Sequence, residues 1–163
     1  MIPKVIEIIG SSGAGKTTLI EKMIPEIRLR GYRLAVIKHT SHRHEFDRPG
    51  KDSYRMRKAG AEVVLVSSPA MFALFRDVEK ELSLQQILAH VPEEFDLVLA
   101  EGYKDHSFPA LEVYRPPVSK VLLANEKPQI LAVISDAPLK LNIPQFSPSA
   151  IEAIVDFIEG QMA

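Results

Sequence analysis

The stretch Gly10-Ser11-Ser12-Gly13-Ala14-Gly15-Lys16-Thr17 restricts what this chain can fold into more than any other, because it matches G-x-x-x-x-G-K-[ST] at every fixed position. Val5-Ile6-Glu7-Ile8-Ile9 reads as a strand feeding the loop, and Thr17 to Arg30 reads as the helix leaving it, which is the order a phosphate-binding loop requires. Glycines let backbone N–H groups curl round an anion without Cβ interference, and the helix N-terminus adds partial positive charge. Residues Gly10 to Thr18 are therefore the expected phosphate cradle. Lys16 is placed to reach the β/γ-phosphates and to act catalytically, and the Thr17 hydroxyl is placed to bind Mg²⁺.

A chain of 163 residues with 46% apolar content is expected to form one domain, residues 1–163, with a full core. With no cysteine there is no disulfide, thiolate metal site or Cys nucleophile. No apolar run exceeds strand length and no charged-then-apolar leader opens the chain, so the expectation is a cytoplasmic protein without a membrane partner. The net charge of −1 argues against a general nucleic-acid binder. Residues 38–58 nevertheless hold seven Lys/Arg against three acids, an excess that suits a phosphorylated ligand or a solvated charged face.

Leu19, Ile20, Met23, Ile24 and Ile27 give the first helix one apolar face, Gly31 closes it, and Pro25 predicts a kink or an early end. Leu34-Ala35-Val36-Ile37 reads as a buried strand with Lys38 at its carboxyl end, where ligand residues of open α/β sheets collect. His39 to Gly50 reads as a loop, and Asp52 or Ser53 as the cap of a short helix reaching Ala59. Val63 to Val66 reads as a buried strand paired antiparallel with Met71 to Phe75, and Ser83 with Gln86 as a capping box. Leu97 to Ala100 forms a strand delivering Glu101-Gly102-Tyr103-Lys104. Leu111 to Tyr114 alternates like a half-exposed strand, Ile130 to Ile134 is buried, and Ser147 is the expected cap of a last helix carrying Ile151, Ile154, Val155 and Ile158. The fold class that follows is a three-layer α/β P-loop domain, a mainly parallel sheet with antiparallel additions.

Bound phosphates call for Mg²⁺ with hard oxygen ligands, and Glu101, at a strand end, is the leading carboxylate beside Thr17. Asp47, in Asp47-Arg48-Pro49-Gly50, fits a D-x-x-G string that would sense a γ-phosphate or ligate the metal; an Asx turn explains it equally well. Asp52 competes for the role and is also a plausible helix cap. His39, His42 and His44 are either metal ligands with Asp47 or residues of a solvated loop. Lys38 and Lys51 are the basic side chains expected to meet phosphate. No N-K-x-D string is present, so base preference does not follow from the residues.

Taken together, the loop with Thr17-Thr18, Lys38-His39 to His44, Asp47-Arg48-Pro49-Gly50-Lys51-Asp52-Ser53, Lys58-Ala59-Gly60-Ala61 and Glu101-Gly102-Tyr103-Lys104 closely resemble the molybdopterin-guanine dinucleotide biosynthesis protein B family, MobB. The chain also resembles dethiobiotin synthetase in outline. The MobB resemblance implies a GTPase-like P-loop fold, GTP as cofactor with Mg²⁺, weak hydrolysis, a homodimer, and association with the guanylyltransferase that acts on molybdopterin. A P-loop small-molecule kinase and a nucleotide-switched, non-catalytic adapter are the two rival classes. Phosphate transfer to an added acceptor would identify the kinase. Partner affinity that depends on GTP but not on turnover would identify the adapter.

Overall fold

The computed structural model describes residues 3–103 and 107–162. In chain order its elements are β1 (Lys4–Ile9), α1 (Lys16–Leu29), β2 (Leu34–Lys38), α2 (Asp52–Lys58), β3 (Val63–Ser67), β4 (Phe72–Arg76) and α3 (Leu84–Leu88). These are followed by β5 (Leu97–Glu101), β6 (Ala110–Val113), a 3-10 turn (Leu123–Asn125), β7 (Ile130–Ile134), β8 (Gln145–Phe146) and α4 (Ile151–Gly160). The chain gathers into two compact units, one built from the segments up to His39 and from Leu88 onward, the other from Thr40–Ile87. Among the described residues no helix is long and apolar enough to cross a membrane.

The first unit is an α/β structure around a six-stranded sheet ordered β2-β5-β1-β6-β7-β8, in which every neighbouring pair is parallel. Strands covered on both faces read as continuous apolar runs, which is how β7 and residues 97–100 of β5 are written and, but for the buried Glu7, how residues 5–9 of β1 are. On one face Ile6, Leu99 and Leu111 pack with Met23 and Ile27 of α1 and with Ile154 and Ile158 of α4. On the other, Ile9, Ala110 and Ile130 meet Leu123, Ala124 and Ile143.

Helix α1 continues through Pro25 to Leu29, so of the two outcomes expected at the proline, a kink or an early end, the early end does not occur. Met23 and Ile27 are both buried against the sheet on either side of the proline, and that packing outweighs one lost backbone bond. Gly31, at φ 88°, then closes the helix while Gly31 N–H donates to Arg28 O at 3.0 Å and Tyr32 N–H to Ile27 O at 3.4 Å. This double bond pattern is the one a left-handed glycine terminator makes.

Three sequence expectations for this unit are corrected. The run Leu34–Ile37 lies at the sheet edge rather than inside it, leaving Val36 44% exposed. Strand β6 is buried at all four positions instead of half-exposed, because both its faces are covered, Leu111 and Val113 in the cluster with α1 and α4 and Ala110 in the cluster with Leu123, Ala124 and Ile143. Its Glu112 is tolerated there because the carboxylate accepts the N–H groups of Leu123 at 2.9 Å and Ala124 at 2.7 Å, although burial still pushes its pKa up. Ser147 does not cap α4, whose N-cap is Ala150; its hydroxyl donates instead to Asp136 Oδ1 at 2.6 Å.

The second unit holds the antiparallel pair β3–β4, with Leu65 opposite Leu74. Within β3 only Val64 is buried, so the expected buried strand is half of an exposed two-stranded ribbon. Helix α2 starts after Lys51 without a side-chain cap, since Asp52 lies inside the helix and the Ser53 hydroxyl donates to Asp47 Oδ1 at 2.9 Å. Arg57 is buried and bonded to Glu45 and Asp77. The Ser83–Gln86 capping box forms as read, with Ser83 N–H donating to Gln86 Oε1 at 2.9 Å and Gln86 N–H to Ser83 Oγ at 3.3 Å.

Candidate functional site

Strand β1 delivers the loop at the middle of the sheet, and the glycines bend it, with φ 136° at Gly10, 78° at Gly13 and 103° at Gly15. At Gly10 a Cβ would stand 2.3 Å from Val113 O, so this position accepts only glycine. Gly15 is the N-cap of α1 in the left-handed conformation, so the helix opens at Lys16 with its amides facing the loop. The Lys16 ammonium folds over the loop and donates to Gly10 O at 3.0 Å and Ser11 O at 2.9 Å. Burial pushes its pKa below the ordinary value, with Glu101 opposing that shift and the Lys38 charge adding to it.

Sheet register assembles the next layer. Ile8 on β1 pairs with Glu101 on β5, and Glu101 in turn pairs with Lys38 on β2. Paired residues on adjacent parallel strands point to the same face, so Lys38 and Glu101 emerge side by side next to the start of α1. The Thr17 hydroxyl lies 2.9 Å from both Glu101 carboxylate oxygens. Lys38 Nζ lies 3.0 Å from Thr17 Oγ1 and 3.3 Å from Glu101 Oε2. Glu101 is buried, at 8% exposure, and its carboxylate is satisfied there by the Thr17 hydroxyl and the Lys38 ammonium.

These contacts bear on the fit of a hard divalent ion. A hydroxyl and a buried carboxylate converge here, and a cation, the lysine ammonium, already rests on them, so the donor chemistry suits Mg²⁺. The expected residues Gly10 to Thr18, Lys38 and Glu101 are thus brought together in one unit. Asp47 and Lys51 belong to the other. Asp47 is buried there, with Oδ1 bonded to Ser53 and Oδ2 without a hydrogen-bond partner. Among the described residues no group of three His, Cys, Asp or Glu could hold a metal, so the alternative of a histidine-loop metal site finds no support. His42 and His44 stand edge to face at 6.1 Å, and the His39 ring lies 4.8 Å from that of Tyr103. Lys104 lies outside the described residues.

Features not read from the sequence complete the site. Beside the loop, over the carboxyl ends of β6 and β7, a cleft of about 570 Å³ is lined by Ala14, Gly15, Thr18, Tyr114, Arg115 and Asp136 among others. That volume is in the range that holds small ligands. Gly102, at φ 96°, brings its backbone so close to His39 that a Cβ would stand 2.7 Å from His39 O. The Gly102 signal was the glycine itself, immediately after a strand-end acid; the segment from Tyr114 to Ser119 carries no motif.

The family model for molybdopterin guanine dinucleotide synthesis protein B matches residues 5–136. A Haemophilus influenzae protein named molybdopterin-guanine dinucleotide biosynthesis adapter protein is 37% identical over 154 residues, covering 94% of this chain and 86% of that protein. The Escherichia coli protein of the same name is 37% identical over 157 residues, covering 90% and 86%. A crystal structure of molybdopterin-guanine biosynthesis protein B superposes with a TM-score of 0.77 at 31% identity, covering 97% of this chain and 98% of that one. A MobB homologue from Bacillus stearothermophilus gives 0.73 at 26% identity, covering 97% of each.

Proposed function

This chain belongs to the molybdopterin guanine dinucleotide synthesis protein B family, and from that premise we propose that it is an adapter in guanylation of molybdopterin, binding GTP with Mg²⁺ and associating with the guanylyltransferase. The observation that carries this reading is the convergence of Lys16, Thr17, Lys38 and Glu101 at the mouth of the phosphate loop. In it, Lys16 and the amides from Gly10 to Thr18 hold the phosphates, while Thr17 and Glu101 hold the metal. A bound Mg²⁺, held by Thr17 and Glu101, would neutralise phosphate charge. Asp47 and Lys51 act on the γ-phosphate in this proposal, a role that rests on their sequence strings. Weak hydrolysis is proposed from the family resemblance.

The cleft beside the loop is the proposed seat of the nucleoside. Asp136 lines it, and a carboxylate offers two acceptors side by side, matching the N1–H and N2–H₂ donors of guanine, whereas adenine presents an acceptor at N1. A homodimer is proposed through the β3–β4 ribbon. Val63, Leu65, Phe72 and Leu74 are exposed on one face of it, and a two-stranded ribbon is marginal in water without further cover. Strand β6, read from its alternation as half-exposed, is interior to the sheet and offers no edge for such a contact.

Calorimetry with GTP and GDP, with and without Mg²⁺, tests the core of the reading. Lys16→Ala is expected to weaken both nucleotides about tenfold to a hundredfold, the worth of a charge-assisted contact. Glu101→Gln should remove most of the Mg²⁺ dependence for GDP and GTP alike, and Asp47→Asn should act chiefly on GTP. Unchanged GTP affinity in folded Lys16→Ala refutes the assignment.

A further inference from the structure

We infer that Lys38 is a built-in counterion that occupies the metal seat while the nucleotide is absent, and that metal and nucleotide enter by displacing it. The inference rests on the reading of Thr17 and Glu101 as the metal ligands. Its carrier is the pair of contacts from Lys38 Nζ, 3.0 Å to Thr17 Oγ1 and 3.3 Å to Glu101 Oε2. The ammonium therefore sits on the same two groups that a divalent ion would use, and those groups serve one cation at a time. A Mg²⁺ ion requires oxygen ligands at about 2.0–2.1 Å, and an ammonium bonded to the same oxygens would stand within a few ångströms of a double positive charge.

The two lysines of the site are held differently, and this assigns their tasks. Lys16 is tied to two carbonyls of its own loop. Lys38 is the last residue of edge strand β2, its side chain is 60% exposed, and its backbone is fixed by pairing with Glu101. A side chain of that kind has a rigid root and a free head, so its ammonium can leave the carboxylate without disturbing the fold. Once displaced, it needs another anion, and nucleotide phosphates at the adjacent loop supply one. Metal alone must expel the lysine into water. Metal with nucleotide lets it move from carboxylate to phosphate, so the two ligands bind with positive coupling.

The test uses Mn²⁺ as the metal probe, followed by its electron paramagnetic resonance, with the full chain free of nucleotide. Lys38→Met keeps the length of the side chain and removes its charge. The expected result is a rise in Mn²⁺ affinity of about tenfold, together with a reduced ability of Mn²⁺ to tighten GTP, from a coupling in the range of about 5- to 150-fold in the wild type. Lys16→Met serves as the comparison, since it removes a nearby charge that rests on the loop carbonyls rather than on the seat. An unchanged Mn²⁺ affinity in Lys38→Met, no saturable site in that variant, or an equal rise in both variants overturns the inference. Failure of the underlying reading looks different: wild-type protein that binds no GTP with metal present refutes the nucleotide assignment, whatever the nucleotide-free Mn²⁺ titration shows.

Discussion

Gly10→Ala and Gly15→Ala form a matched pair that separates backbone strain from collision. Both glycines have positive φ, 136° and 103°, so both substitutions place an L side chain where the left-handed backbone disfavours it. At Gly15 nothing lies within 4 Å of the new Cβ, and the cost is that backbone preference alone, about 1–2 kcal/mol. At Gly10 the Cβ would stand 2.3 Å from Val113 O and 3.2 Å from Val113 C, well inside the 3.0 Å that real Cβ atoms respect for the first contact. That oxygen belongs to the main chain of β6, held between β1 and β7, so it cannot rotate away as a side-chain tip would. Overpacking a rigid core adds about 1–3 kcal/mol to the same backbone cost of about 1–2 kcal/mol, which brings Gly10→Ala to roughly 2–5 kcal/mol. Guanidinium unfolding followed by far-ultraviolet circular dichroism measures both variants against the wild type. Amide exchange at β1 and β6 shows where the damage falls. If Gly10→Ala costs no more than Gly15→Ala, the close approach of loop and strand does not constrain the fold and the reasoning fails.

Ile158→Ala, at a wholly buried position of α4, should cost about 2–5 kcal/mol by the same unfolding assay, and a value under about 1 kcal/mol would place α4 outside the core. Ser83→Ala should lower amide protection in α3 by about 0.5–2 kcal/mol while leaving nucleotide affinity unchanged. In the second unit the Arg57 guanidinium holds the Glu45 carboxyl below the usual carboxylate range, so its contribution is present above that range and is lost as pH falls through the lowered value. Protection factors of the α2 amides, that is exchange rates corrected for their intrinsic pH dependence, should accordingly fall on acidification. Arg57→Met should show low α2 protection already at neutral pH, with protection that changes less with pH, and an unaltered protection profile would contradict the role given to the pair. Leu65→Glu should convert the proposed homodimer to monomer in sedimentation, whereas an unchanged species distribution would refute the ribbon contact.

The parts of the site that could be read in the sequence are those whose chemistry is local. Gly10 to Thr17 announces itself because loop, helix start and cation are consecutive, and Glu101 because four apolar residues fix its place at a strand end. What could not be read depends on which strands become neighbours. Leu34–Ile37 and Val63–Val66 look alike as short apolar runs, yet one lies at the edge of the large sheet and the other in a ribbon, and nothing in four residues encodes a neighbour. Glu112 suggested exposure, since alternation normally means a wet face; its carboxylate instead meets two backbone N–H groups eleven and twelve residues away. Ser147 had the chemistry of a helix cap and was drawn off by Asp136. The Thr17–Glu101–Lys38 contact spans 84 and 63 residues, and only the pairing of β2 and β1 with β5 makes it.

The sheet order also sets a timetable for synthesis. Strand β1 has β5 and β6 as its two neighbours, and β2 has only β5, so neither of the first two strands pairs with the other. Nothing that can pair with them is made until the ribosome has passed residue 97, and the wall against Gly10 is complete only at Val113. At about 5–20 residues per second, the phosphate loop emerges and then waits on the order of ten seconds as an open peptide. In the proposed reading, a nucleotide would therefore find no complete site on the nascent amino-terminal third, and any stabilisation by it would begin only after the chain has been translated through β6.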